Sequence, residues 1–266
     1  MINFKSLEEY IEITKQAQTE GLRNINCYLM PNEIADLVKN NQLFYLKNDS
    51  TLQLMVKKDR YFKVYWYCNE NFKFEPFETI LPILADLPYS VKMNDRLLNF
   101  IEKLENQGFK LNSTTTRMSC PIFDAGYNLN GLKIEELKSN EIDEVYNIWE
   151  ENFDPVQNLL YSKKEIENCE NQIYVLKDEE NKIYGAIEII TNGNYGWVQH
   201  IAIKSEHHGK GLGGLLESFY INKCKSLGIK TLLLYTIDSN LNAQRFHKKF
   251  SFTPDGKYNC QFIYRR

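Results

Sequence analysis

Between Ile201 and Leu216 the chain reads IAIKSEHHGKGLGGLL, an apolar run followed by glycines at 209, 211, 213 and 214. Glycines permit positive φ and leave backbone amides bare, and a helix that follows adds the positive end of its dipole. That combination is suited to holding a phosphate. The same residues also satisfy a dinucleotide spacing, Gly209-x-Gly211-x-x-Gly214, with Asp238 24 residues beyond Gly214 near a strand end. The neighbouring elements weigh against that second pattern. A dinucleotide fold needs the preceding strand to open a parallel βαβ unit, whereas this strand ends an antiparallel meander and too little chain follows for a doubly wound domain. All four histidines, His200, His207, His208 and His247, fall in the same 48 residues.

The elements that must position these residues are legible around them. Residues 172–177, 182–191 and 195–204 are strand-like runs joined by links short enough for hairpin turns. Ahead of them, 132–137 alternates like a strand, and Ser139 is placed to cap a helix with Ile142, Val145, Tyr146, Trp149 and Phe153 at helical spacing. Ser162 opens another short helix. Beyond the glycines a helix runs to about Leu227, then a strand 230–237, a helix 240–250 and a closing strand near 258–264. In the first half, helices fall near 7–17 and 33–39, and strands at 43–47, 52–57 and 61–68. A helix over 97–109 then leads into a strand 110–119, which echoes the helix and strand at the end of the chain. The fold class is therefore α/β (α+β), with a mixed, mostly antiparallel central sheet and flanking helices. The echo admits two tandem copies, with an unrelated accessory domain as the other arrangement. The Gly- and Asn-rich stretch 124–131 marks a boundary between residues 1–125 and 132–266.

With 266 residues, 43% hydrophobic and 25% charged, the chain has the composition of a folded globular protein, neither disordered nor fibrous. No apolar stretch approaches the roughly 20 residues that span a bilayer, so neither membrane nor secretion is expected. Six cysteines without a CxxC pair support neither zinc nor disulfides, and reduced thiols in the cytoplasm are the expectation. A net charge of -3 argues against a nucleic-acid partner. That charge is uneven: residues 132–182 hold 6 basic and 14 acidic side chains, and residues 183–266 hold 11 and 5. Such a split suits a polyanionic ligand beside a cationic substrate.

At this point the residues resemble a family. His208-Gly-Lys-Gly211-Leu-Gly213 is similar to the Gln/Arg-x-x-Gly-x-Gly/Ala motif that follows a β-bulged strand in the GCN5-related N-acetyltransferases (GNAT). Asn240-Leu-Asn-Ala243-Gln-Arg-Phe246-His247-Lys-Lys-Phe250-Ser-Phe252 resembles their Asn-x-x-Ala-x-x-Phe/Leu-Tyr-x-x-x-Gly-Phe run. The resemblance covers about 132–266. It implies that acetyl-CoA is the co-substrate and that its pantetheine arm pairs with the backbone of Ile201, Ala202 and Ile203. It further implies a pyrophosphate held by the turn from His208 through Gly209, Lys210, Gly211, Leu212 and Gly213 to Gly214, with Lys204 and Lys210 near the phosphates. Asn240 would meet the pantetheine and Phe246 would pack against it. No metal is implied.

Two departures touch the mechanism. His208 replaces the usual Gln or Arg, and His247 replaces the Tyr that protonates the leaving thiolate, a task an imidazolium can also perform. For the base, the neighbouring strands offer Glu188, Tyr195 and His200. Glu188 is either a half-buried acid with a raised pKa or a plain exposed strand carboxylate. His200 alternates with Gln199, so only one of them faces the cleft. The expected activity is an N-acetyltransferase, acting as a monomer or homodimer on a cationic primary amine of a small molecule or peptide. The alternative is a non-catalytic acyl-CoA binding or sensing module. The first half, lacking a Gly-x-Gly turn after a strand, is expected to hold no second CoA site.

Overall fold

A computed structural model describes residues 1–167 and 172–265, which divide into two compact units: 1–114 with 258–266, and 115–257. Among the described residues no helix is long and apolar enough to cross a membrane, and no three His, Cys, Asp or Glu side chains gather as a metal site. Cys27, Cys68, Cys120, Cys224 and Cys260 are free thiols, and Cys169 lies outside the described residues.

The first unit begins with β1 (Ile2–Asn3) and α1 (Leu7–Thr19), whose first turn is capped by the Ser6 hydroxyl accepting from the Glu9 N–H at 3.2 Å. β2 (Arg23–Asn24) follows, then α2 (Pro31–Lys39), where a proline in the first turn loses no helix hydrogen bond. β3 (Leu43–Lys47), β4 (Thr51–Lys57) and β5 (Phe62–Cys68) form an antiparallel meander. β6 (Ile83–Ser90) then runs parallel to β5, pairing only at Phe62↔Ile83 and Lys63↔Leu84. α3 (Asp95–Asn106) packs Phe100 and Leu104 inward and leads to β7 (Lys110–Pro121). Trp66, fully buried, centres this core: its Nε1 donates to Gln53 Oε1 at 3.1 Å, and the rings of Phe72, Phe100 and Phe109 meet it edge-on.

The second unit holds β8 (Lys133–Glu136), α4 (Ile142–Asn152), α5 (Lys163–Glu167) and the meander β9 (Gln172–Lys177), β10 (Ile183–Asn192), β11 (Tyr195–Ile203). The helix α6 (Leu212–Ser226), the strand β12 (Thr231–Ile237), α7 (Leu241–Lys248) and β13 (Thr253–Tyr264) complete it. α6 lies close on the sheet: a Cβ at Gly196 would come within 2.5 Å of Cys224 Sγ, and Tyr220 donates its hydroxyl proton to the Gly196 carbonyl at 2.7 Å.

Both units thus repeat one order: a meander, a parallel strand, a helix and a further strand. Each then borrows a strand. Residues 115–121 of β7 pair with β12 in the second unit, and residues 258–264 of β13 return to the first, where Gln261 accepts from Asn112 at 2.6 Å. The division therefore falls inside β7 and not at 124–131, because pairing with β12 assigns 115–121 to the second unit. Three local expectations also shift. β6 is a strand that the sequence pattern does not announce, since Pro82 stands just before it and Pro88 within it. Ser139 begins a single 3₁₀ turn, and α4 starts at Ile142. β13 begins at Thr253, five residues before the expected strand start.

Candidate active site

β11 and β12 are parallel neighbours for only four pairs, Tyr195↔Thr231 to Val198↔Leu234. Beyond Val198 the strands part, and β12 keeps its pairing with β7 alone as far as Ile237. A register shift against β10 causes this locally: Glu188 faces His200 while Ile189 faces Val198, leaving Gln199 as the extra residue of a bulge that turns the strand. After the bulge the Lys204 N–H donates to Tyr184 on β10 at 2.9 Å. By alternation Ala202 also bonds β10, while Ile201 and Ile203 direct their N–H and C=O groups into the gap.

The end of the gap is the glycine turn. Gly209 and Gly211 have φ of 76° and 80°, in the left-handed region where a side chain is strained, and the space beside each is open. Gly211 caps α6 without a side chain; the Gly214 N–H turns back to the Gly211 carbonyl at 3.0 Å, while the Leu212 and Gly213 amides that begin this 15-residue helix have no acceptor within it. His208 braces the turn from beneath through its Nε2, 2.8 Å from the Ile203 carbonyl, which Asn152 Nδ2 also reaches at 3.1 Å. That leaves the N–H of Ile203 and both groups of Ile201 facing the gap.

The other expected contacts divide. Phe246 lies 3.6 Å from where a Gly213 Cβ would stand, so α7 reaches the turn. Asn240 caps α7, its Oδ1 accepting from the Ala243 N–H at 3.0 Å. Lys210 lies 3.0 Å from His207 Nδ1. Lys204 is bound to Glu144 on α4. Part of the acidic block is spent in the same way, since Lys177 pairs with Glu141 at 2.6 Å and Glu135 at 2.9 Å, and Lys163 with Asp143 at 2.6 Å.

Glu188 is fully buried, so the exposed alternative does not hold, and Gln199 is exposed while His200 is buried. The two pair: His200 Nδ1 is 2.7 Å from Glu188 Oε2, and its Nε2 is 3.1 Å from the Asn158 carbonyl, with Trp149 and Phe153 against the ring. A carbonyl only accepts, so Nε2 carries a proton. The Glu188–Nδ1 contact then shares one more, and His200 has no lone pair to spare as it stands. Tyr195, half exposed, sits where β11 and β12 are still joined.

His247 is buried, with its Nδ1 3.2 Å from Glu217 Oε1 and its ring against Phe246 and Phe252. Its Nε2 takes no partner among the described residues. Glu217, on α6, is fully buried and its Oε2 has no partner among the described residues. Sequence reading passed over Glu217, although a signal was present: it stands three and seven residues before Tyr220 and Cys224, a carboxylate on an apolar helical stripe.

Residues 142–252 match the profile of the acetyltransferase (GNAT) family. No curated protein matches the sequence. Among solved structures, a tandem GNAT protein from the clavulanic acid biosynthesis pathway is similar over 99% of this chain and 97% of its own, with 10% identity and a TM-score of 0.63. A GCN5-related N-acetyltransferase from Sphaerobacter thermophilus covers 90% of this chain and 86% of its own, with 11% identity and a TM-score of 0.56. A GNAT-family protein from Novosphingobium aromaticivorans covers 71% and 76%, with 14% identity and a TM-score of 0.51. At such identities the likeness is one of fold, and the tandem structure agrees with the repeated order of elements in the two units.

Proposed function

Residues 142–252 carry a GNAT acetyltransferase domain, and from that premise we propose that this chain moves an acetyl group from acetyl-CoA to a primary amine of a small molecule or peptide. The observation that carries this reading is the opening of β11 from β12 beyond Val198, closed at its end by the glycine turn and the first turn of α6. Pantetheine pairs with the gap-facing groups of Ile201 and Ile203 as an added strand would, and the pyrophosphate lies on the amides from Gly209 to Gly214. The amine attacks the thioester carbonyl directly, and the oxyanion rests on the Ile203 N–H. Proton balance needs one group to take a proton from the ammonium and one to give a proton to the departing thiolate. His247 gives it through Nε2. For the base we take the Glu188–His200 pair, reached through water because Nε2 is bonded to the Asn158 carbonyl; it must first give up the proton shared between Glu188 and Nδ1 before it can take one from the ammonium.

The occupied nitrogens of His200 also favour a second reading, an acyl-CoA binder without turnover. Thiol release from acetyl-CoA with a panel of amines, run beside calorimetry with CoA, separates the two. Turnover on any amine supports the transferase, whereas tight binding with none supports the binder. Failure to bind CoA would sink both.

A further inference from the structure

The first unit also has a parallel pair that parts, β5 from β6, and there the gap is filled by the chain itself. Arg23 and Asn24 pair with Cys68 and Tyr67, and the Ile25 N–H donates to the Trp66 carbonyl at 2.9 Å. Asn26, buried, spans both strands: its Nδ2 donates to the carbonyls of Val64 at 3.1 Å and Asp86 at 3.2 Å, and its Oδ1 accepts from the Trp66 N–H at 2.9 Å. A pantetheine arm has no strand edge left to pair with.

Beyond this plug lies a cavity of about 600 Å³, walled by β2, the loop after β5, and α3. Arg23, Arg96 and Lys103 line it, with Glu70 the one carboxylate among its lining residues. Among the described residues none of the three cations has a carboxylate partner. Their hydrogen bonds go to carbonyls instead: Arg96 Nη2 to Arg23 at 3.3 Å, and Lys103 Nζ to Glu70, which tie the walls together. Arg96 and Lys103 are seven residues apart on one face of α3. Arg96 also stands in the first turn, where the helix dipole disfavours a cation. The floor is apolar, with buried Phe72, Phe100 and Cys68. Burial raises the Cys68 thiol to about 11 against the opposing pull of the Arg96 and Lys103 charges.

We propose that this cavity binds a small dianion, a phosphate monoester or dicarboxylate carried on an aromatic or apolar body. Three cations against one carboxylate leave two positive charges, guanidinium groups match both anions in geometry, and the Phe72 and Phe100 rings take the body. The site is independent of acetyl transfer.

Calorimetry on the full chain at low salt tests it with phenyl phosphate and phthalate as probes and inorganic phosphate as the bodiless control. The expected result is one phenyl phosphate or phthalate per chain, bound more tightly than inorganic phosphate. Whichever of the two binds better identifies the head group, and either preference supports the site. Arg96→Glu with Lys103→Glu should weaken binding roughly tenfold or more, since two charge-assisted contacts become repulsions. Asn99→Asp, which adds a carboxylate to the lining at an exposed position, should weaken it while circular dichroism stays native. CoA affinity should be the same in all variants. No binding of either aromatic probe, affinity unchanged in both variants, or displacement of the probe by one equivalent of CoA would overturn the proposal.

Discussion

Replacing His247 with phenylalanine separates two roles that the structure gives one side chain. Glu217 is fully buried, and its Oε1 has His247 Nδ1 at 3.2 Å while its Oε2 has no partner among the described residues. Phenylalanine fits beside Phe246 and Phe252, so little is lost in packing, and the carboxylate is left alone in an apolar surround. Breaking a buried pair from one side costs about 3 to 5 kcal/mol, a large part of the roughly 5 to 15 kcal/mol that holds a domain together. The melting midpoint should fall by about 10 °C. Adding Glu217→Leu removes the stranded charge, and the double variant should return to within about 1.5 kcal/mol of the native chain. Urea unfolding followed by circular dichroism measures both. Thiol release on the refolded double variant then reads the chemistry without the instability: turnover should remain lower by roughly 10² to 10⁴ if His247 Nε2 gives the proton. A single variant within about 1 kcal/mol of native, or a double variant no better than the single, would refute the buried-pair argument. Native turnover in the double variant would refute the acid role.

Other outcomes follow from named positions. Gly213→Asp should abolish CoA binding by calorimetry with helical content intact, because its Cβ meets only ordinary contact at Phe246 and its charge faces the phosphates. Ser251 stands at φ 65° where the resembled motif has glycine, so Ser251→Gly should raise stability by about 1 kcal/mol in urea. The titration should show one CoA per chain, since Asn26 and its neighbours fill the first unit's gap, and two would refute that account. Burial works to raise the Asp86 carboxyl, but Lys63 at 2.8 Å, with Asn259 and Gln261, outweighs it and holds the pKa below the ordinary aspartate value. That stability is fully present above the unfolded value near 3.9 and is lost as pH falls through the lower folded one. Acid unfolding below about pH 4 should therefore weaken in dependence on pH in Asp86→Asn, and an unchanged acid limb would count against it.

What the sequence determined by itself is what short segments decide. The glycines at 209 to 214 permit a turn that few other residues can make, Asn240 caps the helix behind it, and period-2 runs set the meander before it, all within neighbouring residues. Tertiary structure alone decided the partners. Glu188 with His200, and Glu217 with His247 30 residues away, meet because strand register and helix packing carry them together, and neither member of a pair announces the other. The same holds for β6, for the strands each unit borrows, and for Asn26, which reaches Asp86 across 60 residues. Burial is the physical reason: once apolar faces close over these positions, the remaining polar groups must find one another, and only the folded chain fixes which are within reach.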